Sequence, residues 1–586
     1  MNYKQLLILF VALALAACAS TQTPPKKLSK EKPVQSSLAL ENMDVEFLYL
    51  AAQQALGQGQ PALAKRFLSV LIKKKPEEIE PRLELADLYL ASGQAKEVKE
   101  AKTLIESMSE TSVARLKNES LERYQLLYAR ALAANGEAEQ ASSLLQLLLR
   151  KHPENIQIRL LLTRLSIMQG DLLQGQRLLK QGLAIKYDLR LQQAQVQLYL
   201  QQGYFKQADQ TLAKIQKRYP EHEDAVLQRS QLAEQQGDVL KAEELLKLYI
   251  DLHSDVALES YVMLAGLYVR QERLEEAIVT YKSVLKLSGG SVDAYMALGK
   301  VYYQLTQYTK AVMMFEKAVQ QFKPLSAHEK LTDMRATVFF YLGASLEASH
   351  EWKKAIPYYL KLNKGHALYL DAQLRLVNID LANKQFDKAE KTLIKLRVSF
   401  ANNINVYEML SELRLKQKAY QSLIEETDKA IDMGFSSTLL FNRAIAFESL
   451  KQFKQLDASL DSLLNKIPEH PEALNFYGYS LADRGIRLDD AASMITQALK
   501  IRPNDGYYLD SLAWVYYKQK KYTKAMETQL RAVQLVASDP VMQEHLGDIY
   551  WQKGEAEQAR KHWRKAIELK HKSAQMISQK IEHGLM

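Results

Sequence analysis

Apolar residues recur along this chain at helical spacing, in paired segments, and the pair repeats roughly every 34 residues from about Val45 to Ser573. Gly136, Gly170, Gly203 and Gly237 mark the step, and Gly59 and Gly93 keep it upstream. Ala208, Ala242, Ala277 and Ala311 continue it, followed by Ala355 and Ala389, then Ala491, Ala525 and Ala559. Each period reads as two helices. From Ser291 to Lys323, Leu298, Gly299 and Tyr302 share one side of a first helix, and Ala311, Phe315 and Ala318 follow at helical spacing in a second. Small residues at Gly299 and Ala311 let the helices approach, and Tyr302 and Phe315 fill the space beside them. The same order appears as Leu264, Ala265, Tyr268, Ala277, Tyr281 and as Leu546, Gly547, Tyr550, Ala559, Trp563, Ala566. No β-alternation stands out, so the class is all-α.

Glycine in the turn (Gly136, Gly203, Gly237, Gly554) supplies the left-handed conformation that a helix stop needs. Proline closes many units, at Pro76, Pro153, Pro220, Pro468 and Pro503. This order of small, aromatic, Ala, aromatic, Ala and Pro resembles the tetratricopeptide repeat (TPR). The resemblance implies a TPR solenoid, a right-handed superhelix of helix-turn-helix units. About fifteen units fit that template. They start near Val45, Ile79, Glu122, Ile156, Leu189, Glu223, Leu258, Val292, Ala336, Leu370, Ile404, Ser437, Pro471, Gly506 and Pro540. Gly175, Leu423 and Leu456 replace the second-helix Ala in three units, and the unit from Ile79 has a few extra residues before Ala101. A solenoid grows by contacts between neighbours and yields a long surface rather than one deep pocket, which favours binding over catalysis.

The N-terminus stands outside the repeat. Lys4 precedes the apolar run Leu6 to Ala17, too short to span a bilayer comfortably and laid out as a secretory signal. It ends in Leu15-Ala16-Ala17-Cys18, which looks like a bacterial lipoprotein signal with Cys18 as the lipidation site. Cys18 is the only cysteine, so no intramolecular disulfide can form. Ala19 rather than Asp follows it, which resembles sorting to the outer membrane. The expected organisation is a signal peptide over 1–17, a disordered tether over 18–44 and a first TPR array over 45–322. An insertion at 323–335, with a possible hinge at Pro324, separates this from a second array over 336–573 and a basic tail over 574–586. The tether is rich in Ser, Thr, Gln, Pro and Lys and too poor in apolar residues to fold.

The net charge is +10. It concentrates between Lys151 and Pro220, with eleven Lys/Arg against four Asp/Glu, and from Arg560 onward, with seven against two. Such faces keep a long solenoid soluble, or dock something acidic. Nucleic acid is not expected for an exported lipoprotein. Catalytic chemistry is not legible. The eleven histidines show no pair at ligand spacing, and His545 and His562 are expected at the surface. There is no phosphate loop and no Gly-x-Ser-x-Gly. Asp489-Asp490 begins a helix, where acidic residues favour the dipole. No metal, no cofactor and no enzymatic activity are expected.

The TPR resemblance implies that positions two, five, nine and twelve of each unit face the inner wall. This places Phe441, Asn475, Tyr479, Tyr507, Asp510, Trp514, Tyr517, Asp548 and Trp551 there, with Glu544 among them and Tyr303 and Phe340 upstream. Rings with polar neighbours suit peptide or protein recognition, although such rings also pack between helices. No Lys/Asn/Arg carboxylate clamp is recognisable. The runs Asn475 to Arg484, Tyr508 to Tyr517 and Glu544 to Tyr550 are similar to large TPR lipoproteins of Gram-negative outer membranes. Some of those act as adaptors of a periplasmic carboxyl-terminal processing protease and bring it cell-wall hydrolases. The resemblance implies a periplasmic scaffold held to the outer membrane by lipid. The alternative is an accessory component of an envelope export or assembly machine.

Overall fold

The structure, a computed structural model, describes residues 40–41, 43–322 and 332–585. The expected signal peptide, Cys18, most of the expected tether, and the segment containing Pro324 lie outside the described residues. Among the described residues there are 32 helices and no strand. Thirty of the helices pair into fifteen hairpins, the first Val45–Gly57 with Pro61–Lys74 and the last Pro540–Gln552 with Ala556–Glu568. The two others are a short helix, Glu110–Ala114, and a terminal one, Ala574–His583. The chain divides into two compact units, with the boundary between Ser260 and Tyr261 inside the helix Leu258–Arg270.

Local chemistry explains the hairpins. Asp44, Asn155, Asp188, Ser436, Asp505 and Asp539 cap first helices by accepting from backbone N–H groups of the first turn. Each of the fifteen turns holds a residue at positive φ, for example Gly136 at 87°, Lys384 at 59° and Lys451 at 57°, and the turn before Leu488–Ile501 holds two, Gly485 and Arg487. Where the closing proline occurs, it stands two residues beyond the second helix. The residue before it leaves the helical region, with φ near −129° and ψ of 72°, 77° and 81° at Lys75, Tyr219 and Ile467.

The small residues sit where the helices cross. A Cβ on Gly299 would lie 2.8 Å from Phe315, one on Gly343 2.8 Å from Tyr359, and one on Gly478 2.6 Å from Ile495. Ala311, Ala355 and Ala491, on the second helices of those hairpins, are fully buried.

Three expectations change. The helix Ala95–Glu106 starts two residues after Gly93, as Ala138–Lys151 does after Gly136. No extra residues therefore precede Ala101; Val98 takes the usual Ala position and the surplus follows as the short helix Glu110–Ala114. The second helix of the ninth hairpin, Trp352–Tyr359, is only eight residues long and contains Pro357, which removes a donor and crowds the preceding turn. Residues 574–583, expected as a tail, form a helix. Ile577 and Ile581 lie one turn apart, and Ile577 is fully buried against the cluster of Ala559, Trp563 and Ala566. That docking covers the apolar edge that the last hairpin would otherwise expose.

Candidate functional site

Four consecutive first helices carry the residues expected on the wall: Ser437–Ser449, Pro471–Arg484, Gly506–Lys518 and Pro540–Gln552. All lie in the second compact unit. Caps fix the start of the last two. Asp505 accepts from Tyr507 N–H at 3.0 Å and Tyr508 N–H at 3.2 Å, and Asp539 accepts from Val541 and Met542 N–H at 2.8 and 3.1 Å.

The structure sorts these residues into three groups. The first is a stacked network. The Trp514 ring lies parallel to Tyr517 at 4.8 Å and to His545 at 4.2 Å, and the Lys518 ammonium stands 5.1 Å from the indole. Asp510, buried beside it, accepts from Gln529 Nε2 at 2.6 Å and meets His545 Nδ1 at 3.0 Å. His545 is therefore a core residue and not a surface one, with only 5% of its area exposed. The first helix of a unit is covered by its neighbours, and Asp510 compensates the imidazole. Burial pulls His545 down, but Asp510 outweighs it, with smaller help from Asp548 and Glu544, and the ring is held above its ordinary pKa. His562 is half-buried, donates from Nδ1 to Gln543 Oε1 at 2.8 Å and stacks on Tyr550 at 5.3 Å.

The second group is held by the terminal helix. Lys580 Nζ donates to Glu544 at 2.8 Å and to Asp548 at 2.7 Å, and Trp563 Nε1 donates to Asp548 at 2.8 Å. His571 Nε2 lies 3.0 Å from Glu544. Burial holds the Asp548 carboxyl above the usual carboxylate range, although Lys580 and Trp563 oppose it. Trp551 is not an open ring. It packs on Trp563 at 5.6 Å and under Arg560 at 5.8 Å, and a Cβ on Gly584 would fall 2.0 Å from its indole.

The third group is the more accessible part of the wall. Phe441 meets Phe476 edge-on at 5.6 Å and His470 at 5.8 Å. Tyr507 is 56% exposed. Tyr479 is partly buried, and burial pushes its hydroxyl up to about 12, followed by the nearby carboxylates of Asp483, Asp510, Glu544 and Glu448. Burial and then Asp548 likewise push Tyr517 up to about 12. Two polar atoms here are shut from solvent without a hydrogen-bond partner, Asn475 Oδ1 and Trp514 Nε1.

Sequence reasoning missed Gln529, His571 and Lys580, which tie the carboxylates internally. Lys580 was hidden in the supposed tail; the spacing of Ile577 and Ile581 is the signal that would have found it. The arrangement buries aromatic surface and leaves the exposed Asp483, near Tyr479, as a carboxylate that a partner can reach. Among the described residues no group of three or more His, Cys, Asp and Glu is placed to hold a metal ion.

Models described as "TPR repeat" and "Tetratricopeptide repeat" match residues 194–257, 266–305, 292–321, 486–540 and 542–572. The chain is 30% identical over 214 residues to the TPR repeat-containing protein PA4667 of Pseudomonas aeruginosa, covering 36% of this chain and 35% of that protein. It is 25% identical over 297 residues to the human protein O-mannosyl-transferase TMTC3, covering 49% of this chain and 31% of that one. It is 22% identical over 273 residues to the BBSome complex member BBS4 homolog of Drosophila melanogaster, covering 46% and 49%. The matches span less than half the length of each of these relatives. Among solved structures, a chain of the APC/C hetero-tetramer Cut9–Hcn1 matches at 14% identity and a TM-score of 0.34, covering 94% of this chain and 99% of that one. The chain folds as a tetratricopeptide-repeat solenoid and is homologous over 214 residues to the Pseudomonas TPR repeat-containing protein.

Proposed function

We propose that this chain is a non-enzymatic scaffold, lipidated at Cys18 and held on the periplasmic face of a Gram-negative outer membrane. Its partners there are a carboxyl-terminal processing protease and the cell-wall hydrolases on which that protease acts. The scaffold raises the effective concentration of one partner for the other, so no chemistry of its own is required. The observation that carries the binding role is the wall of the last four hairpins, where Phe441 and Tyr479 are partly exposed, Tyr507 is exposed, and the exposed carboxylate of Asp483 lies near Tyr479. The lipobox-like Leu15 to Cys18 motivates the location.

Membrane fractionation with labelled palmitate, followed by affinity purification from crosslinked envelopes and mass spectrometry, tests both halves. The parent chain should incorporate label, sediment with the outer membrane and co-purify a periplasmic protease. The Cys18→Ser chain should lose label and sedimentation. Retained label in that variant contradicts the anchor, and a partner set made only of export or assembly components contradicts the adaptor role.

A further inference from the structure

We infer that the first compact unit carries a second docking surface, on the solvent side of its second helices, for an amphipathic helix with an acidic flank. The helix Val239–His253 and the residues just beyond it expose an apolar seam: Leu240 at 80%, Leu248 at 54%, Leu252 at 70% and Val256 at 68%. Leu248 and Leu252 lie one turn apart on one edge of the helix, Val256 follows in the turn beyond His253, and Leu240 is separated from them by Glu244 at the same spacing. The preceding second helix, Phe205–Arg218, runs beside it, and Lys241 Nζ reaches Asp209 Oδ2 at 2.9 Å across the gap. Between the two helices lies a cleft of about 320 Å³. Leu248 and Leu252 form one wall, Lys217 and Pro220 belong to the other, and the nearly buried Tyr249 lines it too.

Charge identifies the occupant. The helix Phe205–Arg218 carries four basic residues and one acid, Asp209. That acid is already taken, by Arg229 at 2.8 Å and by Lys241. Arg218 lies over the Tyr187 ring at 4.3 Å. Lys206, Lys214 and Lys217 are exposed and form no ion pair among the described residues. One wall is thus apolar and the other cationic, which fits a helix with a Leu-like ridge in the cleft and carboxylates along the edge beside Lys214 and Lys217. Glu244 and Asp251 are exposed on the same helix, one turn before and three residues after Leu248; they repel an acidic edge laid along that helix and so direct it towards Lys214 and Lys217. They also disfavour an anionic membrane as the occupant.

The test uses the full chain and two helix-locked synthetic peptides that share one Leu ridge, one flanked by Glu and the other by Lys. Fluorescence anisotropy should show the Glu peptide binding at least about tenfold tighter than the Lys peptide. Lys214→Glu with Lys217→Glu should reverse that order, a result that a misfolded variant cannot mimic. Leu248→Asp with Leu252→Asp should abolish binding of both peptides without lowering Tm. Equal binding of the two peptides, or no effect of charge reversal, overturns the proposal. So does sedimentation showing that the Leu248→Asp, Leu252→Asp pair converts a dimer to a monomer, since the occupant is then a second copy of the chain. Phosphatidylglycerol vesicles that bind the parent chain and not the lysine-reversed one would overturn it in favour of a membrane surface.

Discussion

Single atoms decide how closely the two helices of a unit approach. At Gly299 a Cβ would already stand 2.8 Å from two ring carbons of Phe315, which is itself fully buried and cannot withdraw. Gly299→Leu should therefore cost about 1–3 kcal/mol through overpacking. Contacts in a solenoid are mostly between neighbours, so hydrogen exchange should loosen in that hairpin and the adjacent ones first. Uniform loosening of every hairpin, or none, would contradict this. At His545 the relevant quantity is charge. Its folded-state pKa lies above the ordinary value because Asp510 outweighs burial, with Asp548 and Glu544 adding to the effect; Trp514 and Gln529, the other neighbours, carry no charge. A histidine raised in this way contributes stability that is complete below the unfolded-state value of about 6.5. That contribution is lost as pH rises through the raised folded-state value. The melting difference between the parent chain and His545→Gln should be larger in mild acid than at alkaline pH. A difference that grows as pH rises would show that Asp510 is not the dominant partner.

At the scale of elements, the terminal helix Ala574–His583 depends on one ammonium. Lys580 neutralises Glu544 and Asp548, of which Asp548 is 4% exposed. Lys580→Ala would leave Asp548 buried without a counter-charge, a loss of about 3 kcal/mol. The terminal segment should then lift from Trp551, and tryptophan emission should shift to the red. Unchanged emission and unchanged exchange in the last hairpin would mean that Ile577 alone holds the helix. Most hairpins were legible in the sequence because local signals recur in them: Gly at positive φ in eight of the fifteen turns, a small residue at many crossings and a ring or large aliphatic side chain opposite it. The terminal helix was not, because its apolar face is only Ile577 and Ile581, and its purpose appears only once Ala559, Trp563 and Ala566 are seen to need a cover. The wall was partly legible. The period placed Trp514 and Asp510 correctly on first helices, but their fate depends on His545, 31 and 35 residues further on, and no local pattern reports that contact. Pro357 was visible, yet nothing in its neighbourhood showed that the helix would end at Tyr359.

At the scale of the whole molecule, the account joins a repeated hairpin to binding. Among the residues expected on the wall, Asp510, Trp514, Tyr517, Asp548 and Trp551 are occupied by contacts within the fold, whereas Tyr479 and Tyr507 retain surface for a partner. The two sets should behave differently. Rings that are hot spots can each contribute more than about 2 kcal/mol to an interface. The most direct measurement is partner capture from crosslinked envelopes by the parent chain and by the Tyr479→Ala, Tyr507→Ala chain, with Tm recorded for both. The account predicts that the double variant loses its partners while Tm stays within a few degrees of the parent. Undiminished capture, or capture that falls only in proportion to a large drop in Tm, would contradict it.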